Sequence, residues 1–250
     1  MYKFFYRFVS GFFMGLAEIT PGISGATVAG LFNVYNEFVR IISFFSPSQF
    51  KFSFKKIKEN INLEFSAPLL LGMIIAIFLA VNLINYLITN FLFEFKIFLS
   101  LVMVLAVLKN CLLDQRFTIS GKFPLHFFSG IFIASCISLT LIEFSYSDFA
   151  PPLKILFLVF AGFLSFTAFI LPGISGSLVL VLLGVYQEVI ISLKNFDFLL
   201  LSPLILGLSI SFFIVPNEII KSFKKNENSV KVFFSGLIFG SIPSVWLHLN

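Results

Sequence analysis

Charged residues are scarce in this 250-residue chain. Asp, Glu, Lys and Arg make up only 12% of it, whereas hydrophobic residues make up 58%. A soluble domain carries about 25% charged residues, so this composition excludes a soluble enzyme, a nucleic-acid-binding domain and a disordered protein. At about 20 residues for each helical span, the length leaves no room for a separate soluble domain. Residues 1–250 are therefore predicted to form one integral membrane domain.

Metal-binding and redox residues are scarce as well. The two cysteines, Cys111 and Cys136, show no CxxC spacing, and the two histidines, His126 and His248, are far apart. The sequence has no HExxH pattern, and His126 lacks the basic cluster that phosphatase chemistry needs. The prediction is a protein that is not an enzyme and that uses no metal or cofactor.

The apolar residues fall into nine stretches, separated by polar, charged or turn-forming residues. These stretches cover about 4–19, 23–45, 67–91, 95–108, 123–144, 153–171, 174–193, 198–215 and 232–249. None of them alternates apolar and polar residues as the strands of an outer-membrane barrel do. Helices are the remaining way to span lipid. The expected fold is therefore all-α and polytopic, with about seven to nine transmembrane segments.

Lysine and arginine are concentrated in alternate connections between these stretches. Basic residues lie at the N-terminus (Lys3 and Arg7) and within 51–58, 109–122 and 221–231, and the other connections are poor in them. Basic loops tend to stay on the cytoplasmic side of a membrane. The N-terminus is therefore predicted to be cytoplasmic and the C-terminus to be outside.

A repeat of twenty residues is the most informative feature. Residues 21–40 read PGISGATVAGLFNVYNEFVR, and residues 172–191 read PGISGSLVLVLLGVYQEVII, with ten identities and no gap. Biased composition alone would give roughly one match in ten, so the chain contains a duplication. The first copy is expected over about 1–113 and the second over about 151–250, with a linking helix over about 123–144.

The number of spans between the copies predicts how they are related. Five apolar stretches lie between the two starts, so the second copy enters from the opposite side of the membrane. If each PGISG hairpin is re-entrant, three spans separate the copies and the relation is the same. An inverted-topology repeat is common in secondary transporters.

The PGISG segment of each copy lies between two apolar segments. Proline lacks a backbone N–H and glycine reaches conformations that a helix excludes, so the helix must break there. Ser24 and Ser175 are then predicted to be N-caps. A helix N-terminus with a hydroxyl suits phosphate or carboxylate. Two broken or re-entrant hairpins could face each other across one central site, and the alternative is a pair of surface turns between ordinary spans.

Four ionisable residues near the breaks are candidates for coupling, gating or substrate attraction. Glu18 lies three residues before Pro21 in an apolar segment, where desolvation disfavours a charged carboxylate. Glu37 and Glu188 lie thirteen residues after their serines, about 20 Å along a straight helix, and are candidate gates. Glu37 could instead simply pair with Arg40. Arg40 could attract an anionic headgroup or could only mark the cytoplasmic side.

The two motifs resemble the signature motifs of the PopT family of bacterial polyprenyl-phosphate translocases, formerly catalogued as a domain of unknown function. They read GFFMGLAEITPGISGAT (11–27) and AFILPGISGSLVLVLLGVYQ (168–187), and the resemblance covers nearly the whole chain. The matching positions are Glu18, Pro21, Gly22, Ser24, Gly25 and Thr27 in the first motif, and Pro172, Gly173, Ser175, Gly176, Ser177, Gly184 and Tyr186 in the second. The first motif departs from the usual pattern at Ala26, at Asn33, where glycine is usual, and at Asn36, where an acid is usual.

This resemblance implies a flippase in the bacterial plasma membrane. It would return undecaprenyl phosphate from the outer to the cytoplasmic leaflet, recycling the lipid carrier of cell-wall and other surface glycans. The matched residues up to Ser177, with Arg40, would bind the substrate headgroup, and Glu18, Glu37 and Glu188 would couple or gate. The polyprenyl tail would stay in lipid along Phe-rich grooves. The alternative is a carrier of a small soluble anion, which needs a closed aqueous cavity where a lipid translocase needs a lateral opening. The oligomeric state stays open.

Overall fold

The computed structural model describes residues 2–20, 22–45, 62–113, 123–139 and 150–248, and every regular element within these ranges is helical. The elements are α1 (Tyr2–Ile19), α2 (Gly25–Leu31), α3 (Tyr35–Phe44), α4 (Leu63–Asn90), α5 (Leu92–Leu108), a π-helical turn (Lys109–Leu113), α6 (Phe123–Leu139), α7 (Pro151–Ile170), α8 (Gly176–Leu182), α9 (Tyr186–Asn195), α10 (Phe198–Gly240) and α11 (Ile242–His248). The all-α prediction is confirmed.

Two helical segments of the described chain, Pro152–Ile170 and Phe198–His248, are long and apolar enough to cross a membrane. Two bent pairs pass the same test when each pair is counted as one span. They are the two parts of α4, which bend by 51°, and α8 with α9, which bend by 110°. The described residues thus hold two such spans, or up to four, and the larger number of seven to nine segments stays a prediction.

Helix α10 folds back on itself at Asn226, whose backbone is not helical (φ −159°, ψ 85°). The ring centroids of Phe223 and Phe234 lie 5.7 Å apart, although eleven residues of straight helix would separate them by about 16 Å. The Asn226 side-chain oxygen accepts a hydrogen bond from the Ser229 N–H at 3.0 Å and so caps the second arm. The basic segment 221–231, expected between the last two apolar stretches, is therefore the tip of a helical hairpin.

The two sequence copies build the same succession of helices. In each copy a long helix ends at PGISG, a seven-residue helix follows, and a ten-residue helix comes after a turn. Gly11 of α1 lies against the Leu69 carbonyl of α4, and Gly162 of α7 lies against the Leu204 carbonyl of α10. Small residues let helix backbones approach closely. The pairing of α1 with α4 is therefore matched by the pairing of α7 with α10.

Replacing Gly11 with alanine should lower stability, because the new methyl group would meet the Leu69 backbone carbonyl. Overpacking of this kind costs about 1–3 kcal/mol, and the thermal unfolding midpoint of the purified protein measures it. Gly30→Ala is the matched control, since a Cβ at Gly30 meets nothing within 4 Å. Equal midpoints for the two variants would show that α1 and α4 are not packed backbone to backbone.

Each copy also contains an interruption after its seven-residue helix that was not predicted. Helix α2 ends at Leu31 and α8 ends at Leu182, and the turn that follows holds Asn33 (φ 54°) in one copy and Gly184 (φ 67°) in the other. Glycine adopts this left-handed conformation readily, and asparagine tolerates it better than most residues. The straight path of about 20 Å predicted from each serine to its glutamate is wrong, because the helix between them is interrupted.

Candidate functional site

The PGISG break of the first copy, here called the first break, is stabilised by side chains of its own copy. Gly22 has a φ of 88°, and Ser24 is the N-cap of α2, since its hydroxyl oxygen accepts a hydrogen bond from the Ala26 N–H at 3.2 Å. The Glu18 carboxyl oxygen accepts a hydrogen bond from the Gly25 N–H at 2.6 Å. Two of the first N–H groups of α2 are therefore already bonded, one of them to an acid. The predicted cap at Ser24 is confirmed.

The PGISG break of the second copy, here called the second break, has the same backbone path with different side-chain contacts. Gly173 has a φ of 95°, and Ser175 occupies the N-cap position of α8, which begins at Gly176. Its hydroxyl makes no capping bond and instead lies 2.8 Å from the hydroxyl of Ser177. Phe169 stands where the first copy has Glu18. The predicted N-cap position of Ser175 is thus confirmed, although its hydroxyl makes no capping bond.

The two breaks contact each other directly. The Gly173 N–H donates to the Thr27 hydroxyl at 2.8 Å, and the Tyr35 hydroxyl donates to the Ile170 carbonyl at 3.0 Å. Both bonds are buried. Buried backbone groups outside regular helices need such partners. The first copy therefore supplies the side chains that satisfy the backbone of the second break, and the two predicted site segments come together.

The other charged candidates lie on the ten-residue helices. Arg40 forms an ion pair with Glu37 at 2.9 Å, and 62% of the Arg40 side chain is exposed. The Asn62 amide also donates to Glu37, at 3.4 Å. The simple pairing considered for Glu37 is therefore confirmed, and an exposed pair of this kind contributes little to stability. Glu188 is half-buried on α9, and Pro21 lies outside the described residues.

A cavity of about 120 Å³, the polar cavity, lies beside the second break. Its walls include Asn33, Tyr35, Asn36, Asn110, Pro172 and Lys231. The Tyr35 ring packs between the two arms of α10, against Phe223 and Phe234. Nearby, the Lys109 ammonium group donates to the carbonyls of Gly30 and Leu31. A cation at the carboxyl end of a helix is favourable, so Lys109 holds the end of α2 that borders this cavity.

Two further cavities lie close to the second break. The apolar groove has a volume of about 280 Å³ and is lined by Ile133, Leu164, Leu171, Ile174, Val179 and Leu182, among others. The hairpin cavity has a volume of about 660 Å³, and its walls include His126, Leu171, Glu218, Lys225, Asn226 and Phe234. Pro172 lines the polar cavity, and its neighbour Leu171 lines both others. All three cavities therefore have a wall residue at the start of the second motif.

Four polar residues of the polar cavity were not predicted as site residues. Asn33 and Asn36 were noted only as departures from the family motif, and Lys231 only as a basic residue that marks the cytoplasmic side. Asn110 carried no signal at all. Their common feature is the cavity that they line. These four residues come from four separate elements of the fold, so the local sequence of any one element does not reveal the cavity.

Comparison with known proteins agrees with the family expected from the motifs. Residues 14–250 match a family model described as undecaprenyl phosphate translocase-like. A curated relative from Vibrio cholerae serotype O1, named polyprenyl-phosphate transporter, is 26% identical over 252 aligned residues, which cover 96% of this chain and 76% of the relative. No solved structure matches the chain. The chain belongs to the undecaprenyl phosphate translocase-like family.

Proposed function

We propose that this chain is an integral membrane translocase of polyprenyl phosphate, the substrate in the name of its Vibrio relative. One observation carries the proposal: the consecutive residues Leu171 and Pro172 line an apolar groove and a polar cavity, respectively. A lipid with a charged head and a long apolar tail needs these two surfaces side by side. Ile133 of the groove is 42% exposed, so the groove reaches the outer surface of the helices, as a lateral opening must.

Within this proposal, the chain has two halves of opposite orientation and moves its lipid inward. The two copies form an inverted repeat, and undecaprenyl phosphate passes from the outer to the cytoplasmic leaflet of a bacterial plasma membrane. The matching breaks and the matching pairs of long helices support two equivalent halves. The headgroup passes the contact between the breaks, where Glu18, Ser24, Thr27, Gly173 and Ser175 are the residues we assign to its path.

Contacts of charged side chains support the predicted grouping of the connections on two sides of the membrane. Arg7 donates to the Glu64 carbonyl at 2.7 Å. These groups belong to the side predicted to be cytoplasmic. Lys96, predicted to be outside, donates to the Trp246 carbonyl at 3.3 Å, beside the C-terminus. Groups assigned to one side therefore touch partners on that side.

The orientation can be measured by labelling single cysteines in cells. Ser53 and Asn250 lie outside the described residues, in segments predicted to be on opposite sides. In a background with Cys111 and Cys136 replaced by serine, Asn250→Cys should react with a membrane-impermeant maleimide on intact cells. Ser53→Cys should react only after the cells are opened. Reaction of Ser53→Cys on intact cells would rule out the proposed orientation.

Transport by the purified chain in liposomes separates this function from its alternative. A lipid translocase moves polyprenyl phosphate between leaflets but does not carry inorganic phosphate into the lumen. A carrier of soluble anions does the opposite. We expect labelled inorganic phosphate to enter protein-containing and empty liposomes equally slowly, while the lipid crosses only where protein is present. Protein-dependent uptake of inorganic phosphate without lipid movement would favour the alternative.

A further inference from the structure

Lys231 is the only charged side chain among the described residues that line the polar cavity. Its ammonium nitrogen lies 2.7 Å from a carboxylate oxygen of Glu227, one turn earlier on the second arm of α10. The Lys231 side chain is 20% exposed and the Glu227 side chain is 44% exposed. The lysine thus borders the cavity, and its carboxylate partner lies nearer to solvent.

Three asparagine amides share the cavity with this lysine. Asn33 lies in the turn after α2, Asn36 lies in the first turn of α3, and Asn110 lies in the π-helical turn. Each amide group offers two N–H donors, and π-helical turns are frequent at functional sites. A phosphate monoester has three strong acceptor oxygens, and lysine binds phosphate as a point charge. The charge and the donors of this cavity therefore match a phosphate monoester.

We propose that the polar cavity binds the phosphate headgroup of the substrate at Lys231, and that Glu227 occupies this lysine while the site is empty. A phosphate monoester carries about −1.5 to −2 charges at neutral pH, so it can displace a carboxylate that carries one. The polyprenyl tail then enters the apolar groove, which is lined by Leu171, the residue before Pro172. This inference rests on the proposed function and names the end point of its headgroup path.

The direction of the path follows from the predicted orientation. Segment 221–231 and the turn that follows Leu108 are both expected on the cytoplasmic side, and both contribute to the polar cavity through Lys231 and Asn110. In the proposed path, a headgroup that reaches this cavity passes the contact between Thr27 and Gly173. The polar cavity is therefore the site from which the headgroup leaves into the cytoplasmic leaflet.

Opposite effects of the two members of the ion pair would distinguish a binding site from a merely structural pair. If Glu227 competes with the ligand, Glu227→Gln should strengthen binding while Lys231→Gln weakens it. If the pair only stabilises the hairpin, both variants should weaken binding, and the double variant should behave like either single one. Lys221 forms a 2.6 Å ion pair with Glu218 on the same hairpin, and 70% of its side chain is exposed. Lys221→Gln therefore makes the same charge change away from the cavity wall.

The test measures binding of farnesyl phosphate and of inorganic phosphate to the purified full-length chain in detergent. We expect Lys231→Gln to weaken farnesyl phosphate binding by about tenfold or more, with a thermal midpoint close to that of the wild type. Glu227→Gln should tighten it by about threefold, and Lys221→Gln should change it by less than about twofold. Equal affinities for Lys231→Gln and Lys221→Gln, or weaker binding by Glu227→Gln, would overturn the proposed site.

The two ligands separate the failure of the site from the failure of the function. Wild-type binding of farnesyl phosphate that Lys231→Gln leaves intact would overturn the site and leave the proposed function standing. A wild-type chain that binds neither ligand would overturn both. Inorganic phosphate that binds as tightly as farnesyl phosphate, and is lost in Lys231→Gln, would support the phosphate site and show that its ligand is the soluble anion.

Discussion

Gly173→Ala should abolish transport and destabilise the protein, because the second break has no room for a side chain. The φ of Gly173 is 95°, and a Cβ there would lie 2.6 Å from backbone atoms of Leu237 and Ile238 on α10. The backbone strain costs about 1–3 kcal/mol, and overpacking costs about 1–3 kcal/mol more. The thermal midpoint reports the stability, and lipid movement in liposomes reports the activity.

Gly184→Asn is the matched control for this variant. Gly184 also has a positive φ, 67°, and the aligned residue of the first copy, Asn33, has a φ of 54°. Asparagine is therefore already used in this conformation by the same protein, and Gly184→Asn should fold and transport. If Gly173→Ala is as stable and as active as Gly184→Asn, the second break is not packed against α10.

Glu18→Gln should remove the response of transport to a proton gradient and leave lipid binding intact. Moving one negative charge inward against a cell-negative potential costs about 2.3 kcal/mol per 100 mV, so a cation must accompany the phosphate or consumption inside must draw it. We propose that the Glu18 carboxyl binds a proton outside and releases it inside. The glutamine carbonyl oxygen can accept the same 2.6 Å hydrogen bond from the Gly25 N–H. The variant therefore keeps the first break and loses only the titratable group.

The measurement is lipid movement in liposomes with an imposed pH gradient. Glu94→Gln makes the same chemical change at an exposed position in the first turn of α5, and we expect it to keep the response. A wild-type rate that ignores the gradient would remove proton coupling from the mechanism. A Glu18→Gln rate that still follows the gradient would remove Glu18 from it.

Features that depend on a few neighbouring residues could be predicted from the sequence. Proline and glycine together in PGISG interrupt a helix, so both PGISG breaks were predictable. Ser24 was recognisable as an N-cap from its position before α2. The pair of Glu37 with Arg40 follows from their spacing of three residues on a helix. Each of these features is decided within one or two helical turns.

Features that depend on packing between distant segments could not be predicted. A lone asparagine or glycine in an apolar run is a weak signal, so the interruptions at Asn33 and Gly184 were missed. The hydrogen bond between Thr27 and Gly173 joins residues 146 positions apart. Lys231 resembles any basic residue of a cytoplasmic connection until the fold places it in a cavity wall.

Leaflet accessibility of polyprenyl phosphate is the most direct test of the proposed translocation. Liposomes with and without the purified chain are loaded with labelled lipid, and a phosphatase that cannot cross the bilayer is added outside. We expect nearly all of the lipid to be dephosphorylated when wild-type protein is present, at a rate that rises with the amount of protein. Empty liposomes should lose only the label of the outer leaflet. Folded wild-type protein that leaves the inner leaflet as protected as in empty liposomes would contradict translocation by this chain.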